Sequence, residues 1–132
     1  MNKVKNAAIC GAGRMGTVIG YAMRHLGYNV FAVDTCGDNI ANFVKVNGGC
    51  PTYTHWKQVI DKPDVVISAL PYHATKECAK WAMESGFRYC DLGGSVPTSE
   101  AIKELALQNK TGFPVMTDLG LAPGWINLMA EE

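Results

Sequence analysis

The stretch Ile9–Cys10–Gly11–Ala12–Gly13–Arg14–Met15–Gly16 constrains this chain more than any other, because a G-x-G-x-x-G turn is stereochemically sensible only where a strand enters it and a helix leaves it. Both flanks are present. Upstream, Val4–Cys10 offers Val4, Ala7, Ala8, Ile9 and Cys10 as a mostly apolar run, the pattern of a parallel strand buried on both faces. Downstream, Met15, Val18, Ile19, Ala22, Met23 and Leu26 recur at helical spacing, and Gly27 is placed to end the helix. Each glycine has a separate task in such a turn. Gly11 permits the tight bend, Gly13 leaves room for a dinucleotide pyrophosphate against the backbone, and Gly16 lets the helix lie close to the strand. The helix N-terminus then turns free N–H groups and the positive end of its dipole toward the phosphates.

A glycine turn alone is a weak signal, so the test is an acid about 20 residues on, at the end of a second strand, where it can accept from ribose hydroxyls. Val30–Phe31–Ala32–Val33 reads as that strand, and Asp34 closes it 18 residues after Gly16. A helix from about Asn39 to Val46 follows, with Asp38 as its expected cap, Ile40, Phe43 and Val44 inward, and Gly48–Gly49 as its stop. Cys50–Tyr53 suits a short third strand, and a helical turn through Trp56, Val59 and Ile60 leads to the breaker Asp61–Asp64. Val65–Leu70 is the most strand-like run and stops at Pro71.

Ala74–Ser85 then reads as a helix with Cys78, Ala79, Ala82 and Met83 inward, and Phe87–Asp91 as a fifth strand. Thr98 or Ser99 is the expected cap of the next helix, with Glu100 in its first turn and Ile102, Leu105, Ala106 and Asn109 on one face. Pro114–Thr117 makes a sixth strand, and a last helix starts at Pro123 or Gly124 and runs through Met129. Strands alternating with helices at this spacing predict an α/β fold: a right-handed, doubly wound parallel sheet of about six strands, the Rossmann-type dinucleotide-binding fold.

The 132 residues suit one domain. Twelve basic and twelve acidic residues balance, so net charge offers no case for nucleic acid or an anionic membrane surface. Met1–Lys5 lacks the apolar core of a signal peptide, and no apolar run approaches the roughly 20 residues of a membrane span, so a cytoplasmic protein is expected. Cys10, Cys36, Cys50, Cys78 and Cys90 are odd in number and widely spaced, with no C-x-x-C pair, which argues for reduced thiols and against a disulfide framework or a metal site. They read as small buried hydrophobes, with a reactive thiol as the alternative for the three beside strand ends, Cys10, Cys36 and Cys90.

In an open parallel sheet the ligand lies beyond the carboxyl ends of the strands. The cofactor-binding candidates there are Gly11, Ala12, Gly13, Arg14, Met15, Gly16, Asp34, Thr35, Leu70 and Pro71. Three residues are candidates for catalysis. His73, the histidine that follows a strand end, can move a proton or simply sit in solvent at a helix start. Asp91 and Asp118, each just past a strand, can pair over a substrate amine or cap their own turns before glycine.

These segments resemble a known family. Gly11–Gly16, Asp34, the VVISALPYH that begins at Val65, the YCDLGG of Tyr89–Gly94 and the DLGLAPGWINLMA of Asp118–Ala130 are similar to the saccharopine dehydrogenase-like oxidoreductases, with their lysine 6-dehydrogenase and polyamine-pathway branches. The last segment is the most specific. The resemblance implies the NAD(P)-binding domain of an oxidoreductase acting on the carbon–nitrogen bond of a lysine-type amino acid or a polyamine. It also implies a second domain, built mainly from sequence after the Ala-Pro-Gly segment, that closes the cleft and often forms the dimer. On this reading residues 1–132 are one nucleotide-binding domain, and the substrate domain is missing from the chain.

A stand-alone NAD-sensing module without catalysis is the competing reading. Both readings expect NAD before NADP, because Asp34 would repel a 2′-phosphate and no basic residue lies between Thr35 and Val44; Arg14, inside the glycine turn, is the alternative cation for one. Leu121, Trp125, Leu128 and Met129 would leave apolar surface uncovered, so a homodimer, or a separate catalytic-domain partner, is expected.

Overall fold

The computed structural model describes residues 3, 5–109, 112–120 and 129–130. Six strands, β1 (Asn6–Cys10), β2 (Asn29–Val33), β3 (Thr52–Tyr53), β4 (Val65–Ser68), β5 (Arg88–Asp91) and β6 (Val115–Met116), form one sheet. All the pairings are parallel and the order is β3-β2-β1-β4-β5-β6. The chain therefore winds outward from β1 in one direction, returns past it, and winds outward in the other. The fold is the doubly wound α/β sheet that the alternation predicts, with its switch point between β1 and β4.

Four helices connect the strands: α1 (Arg14–His25), α2 (Gly37–Asn47), α3 (Tyr72–Glu84) and α4 (Val96–Asn109), with a 3-10 turn at Trp56–Gln58 between β3 and β4. The central strands β1, β2 and β4 are apolar between their ends, and their residues divide by alternation between two cores. Ala8, Cys10, Phe31, Val33, Val66 and Tyr89 face Cys78, Ala79, Ala82 and Met83 of α3 and Ile102 of α4. Ala7, Ile9, Val30, Ala32 and Ile67 face Phe43 of α2, with Ile19 and Met23 of α1 at the margin.

The apolar stripe of α1 does not turn wholly inward. Its buried residues are Gly16, Thr17 and Gly20, while Met15, Val18 and Leu26 are 57%, 61% and 72% exposed. The reason is proximity. A methyl group on Gly16 would overlap the Gly11 carbonyl oxygen, and one on Gly20 would lie 2.6 Å from the Phe43 ring, so only small residues fit the contact face. Gly27 does end the helix: its N–H donates to the Arg24 carbonyl at 2.9 Å, and that of Tyr28 to the Met23 carbonyl at 3.0 Å.

Other boundaries shift for local reasons. The position before α2 is Cys36, with no side-chain cap, and Asp38 lies inside the first turn. Helix α4 starts at Val96, so Thr98 and Ser99 lie within it rather than capping it, and Glu100 is beyond the first turn. Thr98 instead donates to the Ser95 hydroxyl at 3.1 Å. Ile60 is 85% exposed, since the 3-10 turn ends before it. Strand β4 ends at Ser68 and α3 begins at Tyr72, two residues earlier than the spacing suggests. Val4 and the start of the expected last helix lie outside the described residues, as do Leu121, Trp125 and Leu128; Met129 and Ala130 are helical and exposed. No helix among the described residues is long and apolar enough to cross a membrane.

Candidate functional site

The carboxyl edge at the switch point is built by the glycine turn. Gly11 adopts φ 96°, donates its N–H to the Val33 carbonyl at 2.8 Å, and carries no side chain where a Cβ would sit 2.7 Å from the Ala69 carbonyl oxygen. Gly16 is forced by the same crowding. Gly13 differs from both, because a Cβ there meets nothing within 4 Å. Gly13 also precedes α1 with no side-chain cap and no acid in the first turn. The N–H groups of Arg14, Met15 and Gly16 have no carbonyl one turn back to receive them, and the site they point to is open.

Asp34 is half-buried and closes β2 beside this turn. Its Oδ2 accepts from the Ala12 N–H at 2.8 Å and from Asn39 Nδ2 at 3.1 Å, and its Oδ1 accepts from the Cys36 N–H at 2.7 Å. The carboxylate thus ties the glycine turn to the start of α2. Thr35 beside it is exposed. Across the switch point, the Leu70 and Pro71 carbonyls accept from the Thr75 hydroxyl at 3.3 and 3.2 Å, which anchors the start of α3.

Of the three catalytic candidates, Asp91 and Asp118 are brought together and His73 lines a different pocket. His73 is exposed, edge-on to Tyr72 at 5.9 Å between ring centroids, and lines a groove of about 380 Å³ with His55, Trp56 and Trp81. Asp91 lines a narrow slit with Tyr72, Thr75, Gly93, Ser95, Thr98 and Ser99. It is 2% exposed and accepts three bonds: Oδ1 from the Gly93 N–H at 2.9 Å and the Asp118 N–H at 3.1 Å, and Oδ2 from the Tyr89 hydroxyl at 2.9 Å. Asp118 has φ 63°, the one positive value at a non-glycine among the described residues. Its carboxylate accepts from Ser99 Oγ at 2.7 Å and Thr117 Oγ1 at 3.0 Å, with Lys103 Nζ at 4.0 Å. In this geometry the two aspartates knot the β5 and β6 turns together.

The cysteines divide. Cys10 and Cys78 are buried and Cys36 is exposed just before α2. The hydrogen bond with Cys10 and then burial push the Cys78 thiol up. Burial, with Asp91 adding to it, pushes Cys90 up to about 11, so it stays a neutral thiol near pH 7. Burial and the Asp91 charge also raise the Tyr89 phenol, which keeps it a hydrogen-bond donor. A further cavity of about 360 Å³, lined by Asn6, Arg24, Asn29 and Asp61 among others, opens at the amino edge, the opposite end of β1 and β2 from the glycine turn.

The role of Asn39 escapes a reading by motif, although an amide in the first turn of a helix, three residues after its cap position, can reach back.

No family model matches the chain. Solved structures match its fold. Saccharopine dehydrogenase (L-Glu forming) from Saccharomyces cerevisiae superposes with a TM-score of 0.80 at 24% identity, covering 96% of this chain and 29% of that one. The WlbA dehydrogenase from Chromobacterium violaceum, solved with NADH and UDP-GlcNAcA, gives 0.73 at 15% identity, over 87% and 35%. Myo-inositol 2-dehydrogenase from Lactobacillus plantarum gives 0.70 at 21% identity, over 87% and 36%. The chain spans about a third of the length of these enzymes, and at such identities the likeness is one of fold: a six-stranded Rossmann-type sheet.

Proposed function

We propose that this chain is the dinucleotide-binding domain of a nicotinamide-dependent oxidoreductase that prefers NAD to NADP. The observation that carries the reading is the empty space at Gly13 beside the uncapped start of α1, with Asp34 fastened to the same turn. Gly11, Ala12, Gly13, Arg14, Met15 and Gly16 would hold the pyrophosphate, Asp34 and Thr35 the adenosine ribose, and Leu70 and Pro71 the wall beyond it. The nicotinamide supplies or accepts the hydride when bound. The chain's own part is to bind, orient and keep phosphate away from the ribose 2′ position. Fluorescence titration tests this: tighter binding of NADH than NADPH is expected, and equal or tighter NADPH binding would pass the ribose role to Arg14.

The resemblance to saccharopine dehydrogenase-like enzymes, together with the 0.80 superposition on one of them, supports a carbon–nitrogen bond of an amino acid or amine as the substrate. His73, exposed at the start of α3, is the candidate for the accompanying proton; Asp91 and Asp118 serve it indirectly by setting the adjacent turns. The partner is a second copy or a separate catalytic domain. Self-association is read by sedimentation of wild type against Trp125→Ser.

A binding module without catalysis is the second reading, favoured by the engagement of both aspartates with groups of the protein itself. Turnover assays on lysine and related amines, with the chain alone and with any neighbouring protein, separate the two.

A further inference from the structure

We propose that Asn39 is a positioning residue that holds the Asp34 carboxylate with one acceptor position turned to the ribose, and so sets the discrimination between a 2′-hydroxyl and a 2′-phosphate. The proposal rests on the reading that this chain binds a nicotinamide dinucleotide.

A carboxylate offers about four acceptor positions. Three of them on Asp34 are filled from within the protein. Oδ2 takes both the Ala12 N–H and the Asn39 amide, and Oδ1 takes the Cys36 N–H. One position on Oδ1 is left, and a single hydroxyl satisfies it. The Ala12 and Cys36 donors are backbone groups, fixed by the fold. Asn39 is the side chain that completes the set, and it reaches Asp34 from the first turn of α2. Rotation about the terminal bond of an Asp side chain is soft, and the amide bond at 3.1 Å adds a side-chain restraint to the two backbone ones.

The same locking acts against a 2′-phosphate. Asp38 stands in the first turn of α2, which adds a second carboxylate near the ribose end, and the basic residue of α2, Lys45, lies in its last turn. A phosphate would meet Asp34 fixed in its path without a cation from α2 to offset it. With Asn39 removed, Oδ2 loses a donor and the carboxylate can turn away. The hydroxyl then loses a preorganised acceptor and the phosphate a fixed repulsion.

The test is a titration of NADH and NADPH, followed by fluorescence, on wild type, Asn39→Ala and Asn39→Gln, with thermal unfolding of each. In wild type NADH should bind more tightly than NADPH. Asn39→Ala should narrow that ratio by about tenfold, the scale of one hydrogen bond to a charged group. Asn39→Gln keeps an amide donor on a longer arm and should retain most of the ratio. A ratio unchanged in Asn39→Ala overturns the assignment, and so does a ratio that falls equally in Asn39→Gln. Wild type that binds neither nucleotide overturns the dinucleotide reading itself, and this inference with it. Because the readout is a ratio of two ligands on one variant, a general loss of stability does not mimic it.

Discussion

Two turns at the carboxyl edge of the same sheet handle their polar groups in opposite ways. After β1, the chain leaves the first N–H groups of α1 uncapped and keeps the space beside Gly13 empty. After β5 and β6, the chain spends its polar groups on itself: Asp91 takes the Gly93 and Asp118 N–H groups and the Tyr89 hydroxyl, and Asp118 takes the Ser99 and Thr117 hydroxyls. Unsatisfied backbone donors are costly unless water or a ligand meets them, so the first turn offers its donors outward. The second turn is built for shape, and it holds Asp118 at φ 63°, in the left-handed region that Asp tolerates better than most residues with a side chain.

Four substitutions would break or sharpen that contrast. The largest effect is expected from Gly16→Ala, where the new methyl overlaps the Gly11 carbonyl oxygen and neither backbone can yield cheaply. A loss of about 3 kcal/mol or more in denaturant unfolding is expected; a stable variant would show that α1 can move off the sheet. Asp91→Ala comes next. It orphans two N–H groups and a buried phenol, and should cost about 3 kcal/mol while leaving NADH affinity nearly intact. A large loss of NADH affinity with little loss of stability would place Asp91 in the binding site.

Gly13→Val reverses the pattern. The position is open, so unfolding should be unchanged, while NADH affinity should fall by about a hundredfold or more as the side chain fills the place of the pyrophosphate. Wild-type affinity in this variant would mean that the phosphates sit elsewhere. The smallest effect concerns pH. The Cys90 thiol rises from 9.0 to about 11 on folding, so the native state prefers its proton. The resulting stability is complete below pH 9 and is lost as pH rises toward 11, at no more than about 3 kcal/mol in all. Cys90→Ala should flatten that alkaline limb of the unfolding curve.

Much of the fold is legible in residue order. The run from Ala7 to Cys10, the turn through Gly16 and the acid at Asp34 lie in the order that a β1–α1–β2 unit demands, and the structure places them so. The inward face of α1 was not legible. Val18 and Leu26 sit at helical spacing like core residues, but the depth of the helix is set by backbone contact at Gly16 and by Phe43 against Gly20, which no periodicity encodes. The caps failed for a similar reason. Ser99 looks like a helix cap, yet its hydroxyl goes to Asp118, 19 residues away, because β6 brings that turn over α4.

What the sequence determined by itself is local or periodic: apolar runs that must be buried on both faces, helices of a given length, and a glycine turn followed at the right distance by an acid. These follow from steric rules that act within a few residues. What only the tertiary structure decided is which polar groups remain unpaired once the strands are ordered. Asp34, Asp91 and Asp118 all follow strand ends and look alike in the sequence. Distant neighbours separate them. Asp34 stays half-buried beside an open turn, whereas Asp91, with the same number of donors, is buried, and Asp118 is tied to Ser99 of α4. A hydrogen bond is specified by where two atoms arrive in space, and for pairs this far apart along the chain only the packed sheet brings them together.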